Sequence, residues 1–339
     1  MNWKVLGGKK DFKIVVGLEI LVLVAIIGFI MYSHSKNSEK MVMGGVFKNQ
    51  IIHKEGEKVE NKEPAMDMEK FFRPSKSPAI NDRVKDYKFF DEFFGKSPDK
   101  ITIPSDMLKT PEDTIINYFS ILKEGAGNIE EGKYAGCGSL GTGSAPYPIA
   151  YNFLSTDYKK KLSYKEYLES FKNILHISLL KVREVPKRED HPNSIPYFFE
   201  IETIEGTDKG MGQFAYYYGF IYLIKEGKDY KISDIDIRGE NYLCAPYHGW
   251  SYDAESVVGI KYGDWCSLVK ERLPVETEGY VKSVPFKGTD GSDYLIKFFT
   301  LTNGTDVEVG QYKKNSKGEW EAITLNPEKC LDKASSKNK

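Results

Sequence analysis

What this chain lacks narrows its chemistry first. None of its four cysteines stands in a C-x-x-C pair, and their spacings match no common zinc-ligand pattern. No G-x-x-x-x-G-K-[ST] phosphate loop occurs, and Ser139 and Ser144 sit in no G-x-S-x-G elbow, so neither a P-loop nor a nucleophilic triad can be argued. An excess of one charge is also missing: 48 Lys and Arg face 49 Asp and Glu, for a formal net charge of −1. No nucleic-acid footprint is implied, and nucleic acid is not an expected partner. Long apolar runs are equally scarce. Only Ile14–Tyr32 has the length of about 20 residues that a bilayer core demands.

That run, IVVGLEILVLVAIIGFIMY, is apolar on every face apart from Glu19. Lys4, Lys9, Lys10 and Lys13 precede it with only Asp11 against them, while Lys36, Lys40 and Lys48 follow, diluted by Glu39. The basic excess places the N-terminus in the cytoplasm and the bulk of the chain outside, as a single-pass cell-membrane protein. A cleaved signal peptide is the rival, but bulky Tyr32 and His34 in Met31-Tyr32-Ser33-His34-Ser35 do not form a small-x-small site. Membrane association through Ile14–Tyr32 is therefore expected. Glu19 is a candidate contact to a partner helix, since an ionisable group within a membrane segment is costly; the plainer reading sets it near the headgroups or protonated.

From residue 33 to 107 the chain is polar and rich in Lys and Glu, with Pro64, Pro74, Pro78, Pro98 and Pro104 interspersed. Such composition buries too little to offset its ordering entropy, so an extended tether is expected. Within it Tyr87, Phe89, Phe90, Phe93 and Phe94 cluster, and are expected to dock onto the chain's own domain. The organisation expected is a cytoplasmic tail (1–13), a transmembrane helix (14–32), the tether (33–107), an α+β domain (108–240), an aromatic-rich wrapping segment (241–272), a small all-β module (273–328) and a tail (329–339).

Thr110-Pro111-Glu112-Asp113 supplies an N-cap, a proline at the first helical position and acidic first-turn residues. Ile115, Ile116, Phe119 and Leu122 follow at helical spacing, and Gly125 ends the helix. A glycine-rich loop, a short helix around Ile149–Leu154 and the capping box Ser163-Tyr164-Lys165-Glu166 come next. The period then changes to two over His176–Val185, Ile195–Ile204, Gln213–Lys225 and Asp229–Arg238, with a tight hairpin at Glu226-Gly227-Lys228. Large residues alternate on both faces of QFAYYYGFIYLIK, as expected of a central strand covered on both sides. Four further strands, Gly279–Phe286, Tyr294–Leu301, Asp306–Tyr312 and Trp320–Leu325, are separated by turn signals and read as a small barrel-like module or an extension of the first sheet.

The order helix, loop, short helix, helix and antiparallel meander, carried by residues 111–125, 150–174 and 227–239, resembles the NTF2-like cone fold. The resemblance covers 108–240 and implies helices packed on a curved antiparallel sheet around a conical pocket. That fold hosts enzymes, ligand binders and assembly modules alike. A membrane helix joined to such a domain is similar in architecture to the VirB8-like assembly components of bacterial conjugation and type IV secretion. The resemblance implies a non-catalytic binding or assembly role, with a protein partner or a second copy of the chain. The alternative is a small-ligand binder or enzyme that uses the cone pocket.

For that alternative, His248, Asp234, Asp236, Tyr247 and Trp250 are the pocket candidates. His248 has the right chemistry for acid–base work, in an aromatic loop near the expected cone mouth, with Asp234 and Asp236 on one face of the fourth strand. Residues 240–272, dense in Trp and Tyr, are expected to wrap the sheet or plug the mouth. Cys244 and Cys266 flank this segment and form the candidate disulfide. Gly136-Cys137-Gly138-Ser139-Leu140-Gly141 spells G-x-G-x-x-G, but no strand precedes it and no helix follows, so it reads as a loop. No cofactor and no metal is expected.

Overall fold

The longest elements form where the alternation of period two is clearest. The computed structural model describes residues 40–48, 77–83, 88–125, 143–206, 212–240 and 249–331. The run 14–32, Glu19 and the glycine-rich motif at 136–141 lie outside them. The chain divides into two compact units, Met1–Lys40 and Met41–Lys339, and the second is α+β. Its strands β1 (Met41–Val42), β2 (Gly45–Phe47), β3 (Ile174–Glu184), β4 (Ile195–Glu205), β5 (Gln213–Glu226) and β6 (Asp229–Gly239) make one sheet in the order β1-β2-β6-β5-β4-β3. The β3–β6 meander is antiparallel, and β2 joins β6 in parallel. Gly227, at φ 64°, supplies the left-handed residue of the β5–β6 hairpin.

The helices are α1 (Lys88–Asp91), α2 (Pro111–Leu122), α3 (Pro146–Tyr151), α4 (Thr156–Lys161) and α5 (Tyr164–Glu169). Thr110 caps α2 by accepting from Asp113 N, and the Ser163–Glu166 capping box is closed in both directions. These helices and one face of the sheet share one core, in which Tyr118, Phe119, Tyr147, Phe153, Tyr167 and Phe171 are buried. Rings meet closely there, with the Tyr167 and Phe171 centroids 4.9 Å apart. These side chains pack the space between the helices and the sheet.

The segment 33–107 is not wholly a tether. Met41–Phe47 forms a hairpin whose turn is Met43 (φ 48°) and Gly44 (φ 76°). Met43 is buried, Tyr158 Oη donates to Gly44 O at 2.7 Å, and Gly44 N donates to Ser170 Oγ at 2.8 Å. A side chain at residue 44 would meet the Tyr167 ring at 2.7 Å, so glycine is required by space as well as by φ. Phe90 and Phe93 dock into the same core as expected, joined by Ile101, Ile103 and Leu108. The average polarity of 33–107 hides these short apolar clusters, each long enough for one anchoring contact.

A second antiparallel sheet contains β7 (Val269–Arg272), β8 (Glu276–Glu278), β9 (Val281–Gly288), β10 (Asp293–Thr300), β11 (Asp306–Lys314) and β12 (Trp320–Ile323), in the order β12-β11-β10-β9-β7 with β8 also on β9. It neither extends the first sheet nor stands apart from it. Phe198, Tyr218, Phe220 and Tyr222 of the first sheet share a core with Val281, Phe299 and Leu301. At this junction Lys181 and Glu200 form a buried ion pair. Lys181 Nζ also donates to Thr300 O (2.9 Å), and Thr302 N donates to Glu200 Oε1 (2.7 Å). The carboxyl of Glu240 lies beside them, its oxygens buried next to Glu200.

The described part of the wrapping segment covers the second sheet rather than the first. Helix α6 (Ala254–Val257) and the π-helix Val258–Trp265 place Ala254, Val257, Val258 and Tyr262 against Val284, Phe286, Ile296 and Phe298. Cys266 is bonded to Cys330, with Cα atoms 5.0 Å apart, which overturns the Cys244–Cys266 pairing. Nearness in sequence was a poor guide, because the chain returns to Cys266 only after completing the second sheet.

Two outcomes follow from the junction. Glu200→Ala strands the Lys181 ammonium in the interior and should cost about 3–5 kcal/mol in urea unfolding, whereas the double variant K181M/E200L should be far less destabilised. Burial, then the neighbouring Glu200 carboxylate, raises the Glu240 pKa well above its usual 4.5. A carboxyl raised on folding contributes stability below its unfolded pKa and loses it as pH rises through the folded value. Glu240→Gln should therefore flatten the loss of stability toward alkaline pH, as read from melting temperature against pH.

Candidate functional site

The connection between β3 and β4 folds back over the sheet face opposite the helices. Polar residues and Pro186 and Pro192 keep it from continuing either strand. Its backbone is fixed locally: His191 N donates to Arg188 O (3.2 Å), and Ser194 N donates to His191 O (3.2 Å). The His191 ring stacks on Tyr222 with centroids 3.7 Å apart and planes 16° from parallel. The Arg188 guanidinium lies 4.5 Å from the Phe220 ring centroid, a cation–π contact.

Alternation along β5 and β6 points Tyr222, Asp234 and Asp236 at this connection, while Ile221, Ile235 and Ile237 enter the helix-side core. His191 Nε2 is 3.1 Å from Asp234 Oδ2, and Nδ1 is 3.3 Å from Asp190 Oδ1 without hydrogen-bond alignment. Asp234 Oδ1 accepts from Ile235 N (2.9 Å). Asp236, almost fully buried, accepts from Lys48 Nζ (2.6 Å) and from Tyr222 Oη (3.3 Å). Burial pushes the Tyr222 phenol up, with the nearby carboxylates adding to it against Arg188. Burial alone would raise the Asp190 carboxyl, but Arg188 and His191 together outweigh it and hold it below the usual range.

Of the candidates read from sequence, Asp234 and Asp236 meet in this cluster. Trp250 does not: it packs edge-on against Trp265, centroids 5.5 Å apart, in the core of the second sheet. Tyr247, His248 and Cys244 lie outside the described residues. His191, Asp190, Arg188, Tyr222 and Lys48 were missed. The one available signal was that Tyr222, Asp234 and Asp236 alternate onto a common face; the loop that covers that face is set by tertiary packing.

A histidine against a carboxylate is the core of a general base. Here, however, Nε2 is taken by Asp234, Nδ1 faces Asp190, and one ring face lies on Tyr222. Among the described residues no serine, threonine or cysteine side chain hydrogen-bonds to the ring. No group of three His, Cys, Asp or Glu able to hold a metal occurs among them either. The arrangement is that of a polar clamp closing a loop onto a sheet. Asp190→Asn should lower stability by at most about 1 kcal/mol at neutral pH, since the pair is largely exposed. A carboxyl depressed on folding stabilises above its unfolded pKa and stops doing so as pH falls through the folded one, so wild type and variant should converge in acid unfolding.

The chain matches no protein-family model, no curated protein and no solved structure.

Proposed function

We propose that this is a single-pass, membrane-anchored extracytoplasmic protein whose α+β unit is NTF2-like and serves binding or assembly rather than catalysis, with a protein partner or a second copy of the chain. The observation that carries this reading is the interior between helices and first sheet, which Tyr118, Tyr147, Phe153, Tyr167 and Phe171 occupy as core. A filled interior is what an assembly module needs and what a cone-pocket enzyme must avoid. The contact of His191 Nε2 with Asp234, with no serine, threonine or cysteine hydrogen-bonded to the ring among the described residues, argues in the same direction.

Other observations support the remaining parts. The Cys266–Cys330 disulfide suits an oxidising compartment outside the cytoplasm. The run Ile14–Tyr32 has the length and basic flank of an anchor. The order of α2 to α5 followed by the β3–β6 meander supports the NTF2-like assignment.

Crosslinking in native membranes, followed by mass spectrometry, tests the role. Capture of a defined envelope protein or of a covalent homo-oligomer is expected; recovery of uncrosslinked monomer alone would overturn it. Thiol alkylation in intact cells tests the compartment. Cys266 and Cys330 should resist the reagent until a reductant is added, and prompt labelling of both without reductant would place the unit in the cytoplasm.

A further inference from the structure

Ion pairs hold several partly buried lysines: Lys48 with Asp236 at 2.6 Å, Lys123 with Asp82 at 2.7 Å, Lys282 with Asp306 at 2.7 Å, and Lys181 with Glu200. Lys159 of α4 and Lys231 of β6 are held differently. Lys159 Nζ donates to Asn152 Oδ1 at 2.7 Å, and Lys231 Nζ donates to the backbone oxygen of the same residue, also at 2.7 Å. Asn152 is itself fixed, because its Nδ2 donates to Pro98 O (2.8 Å) and Pro148 O (3.0 Å). Both ammonium groups thus hang on one locked residue. Lys159 lies 5.2 Å over the Tyr151 ring.

Neither amine has an ion-pair partner among the described residues. The nearby carboxylate of Glu226 is turned to α4 instead, accepting from Thr156 N (2.9 Å) and Thr156 Oγ1 (3.2 Å). Glu226 still opposes the charge of both amines, and Asp229 that of Lys231, without forming an ion pair with either. Burial first, then the Lys231 charge, brings Lys159 down to about 8, and burial lowers Lys231 as well. Folding therefore draws two like charges together, partly out of water, with no carboxylate in direct contact with either. That arrangement is costly in isolation and favourable once an anion enters.

We infer that Lys159 and Lys231, both anchored on Asn152, form a binding site for a phosphate-type dianion. Two ammonium groups match its charge, and lysine serves as a point charge toward phosphate oxygens. The same chemistry is offered by free phosphate compounds and by the headgroups of acidic phospholipids. Only the lipid source rests on the membrane reading proposed above.

Linkage provides the readout, because an anion that prefers the charged amine must raise the amine's pKa by the same coupling. The full chain, with its lysines carrying isotope-labelled methyl groups, is titrated by NMR in mild detergent with chloride or with inorganic phosphate at equal ionic strength. It is titrated again in nanodiscs of phosphatidylcholine alone or with phosphatidylglycerol. Loss of one resonance in Lys159→Gln assigns the signal. An upward shift of Lys159 with phosphate assigns a soluble anion, and an upward shift only with phosphatidylglycerol assigns the headgroup.

In Lys231→Gln the Lys159 resonance should titrate higher without any anion, and phosphate affinity should fall by about tenfold or more, equivalent to about 1.4 kcal/mol. No shift in either arm, or an equal phosphate shift in Lys231→Gln, overturns the site. The phosphate arm needs no bilayer, so its failure is separable from a failure of the anchor reading.

Discussion

The contact on which the two-sheet architecture depends is the buried Glu200 carboxylate. It sits in the middle of β4 with almost no exposure, and one sheet alone does not satisfy it. Lys181 comes from the adjacent strand of the same sheet, but Thr302 N comes from the second sheet, and Lys181 spends a further bond on Thr300 O. Thr300 continues the chain of dependence through its hydroxyl, which donates to Asp306 Oδ1 at 2.6 Å. Asp306 is in turn buried and accepts from Lys282 Nζ and from Ala254 N at the start of α6. Two buried carboxylates linked through one threonine therefore orient the first sheet, the second sheet and its helical cover. Such ion pairs add little net stability compared with apolar packing, but a wrong alignment would strand charges, so they select one arrangement of the sheets.

Residues from the stretch before the helices pair with both outer strands of the β3–β6 meander. On the β3 edge, Ile80 N donates to Leu179 O, while Asn81 accepts from Leu179 N and donates to Ile177 O and Phe119 O. One asparagine side chain thus acts as a short strand and ties the sheet to α2. On the β6 edge, the hairpin β1–β2 adds a parallel strand and Leu154 bridges to Ile232. Open edges invite pairing with other chains, and covering them keeps the sheet from uncontrolled association. The second sheet manages β12 differently, with exposed charges and with Lys314 lying over Trp320.

Local signals were legible in proportion to their length. The four strands of the meander were readable to within about two residues, as alternation is sustained over many positions and ends at glycine or polar turns. The Ser163–Glu166 box and the Gly227 turn were equally plain, since each is decided by the chemistry of four residues or fewer. The helix after Ser163 ends earlier than its apolar spacing would allow. Tyr167, Leu168 and Phe171 keep helical spacing, yet Asn173, at φ 65°, turns the chain into β3. What could not be read was any contact closed across the fold: Met43 entering the core of the α-helices, Cys330 returning to Cys266, and His191 settling on Tyr222. Each depends on a short segment whose own composition is unremarkable, and whose place is set by what the rest of the chain leaves uncovered.

The same distinction separates the two polar clusters on the first sheet. Around His191 the carboxylates have partners within the chain: Asp234 contacts the imidazole, Asp190 pairs with Arg188, and Asp236 meets Lys48 and Tyr222. The network leaves His191 Nδ1 as its one buried side-chain atom without a hydrogen bond among the described residues, and its contacts hold a loop. Around Asn152 the polar geometry is equally well defined, but the opposing carboxylates act without direct contact. A fixed acceptor, two amines and an aromatic face are assembled, while the neighbouring carboxylate is committed elsewhere. The two ammonium groups are brought together by folding, and the proposed anion is what would make direct contact with them.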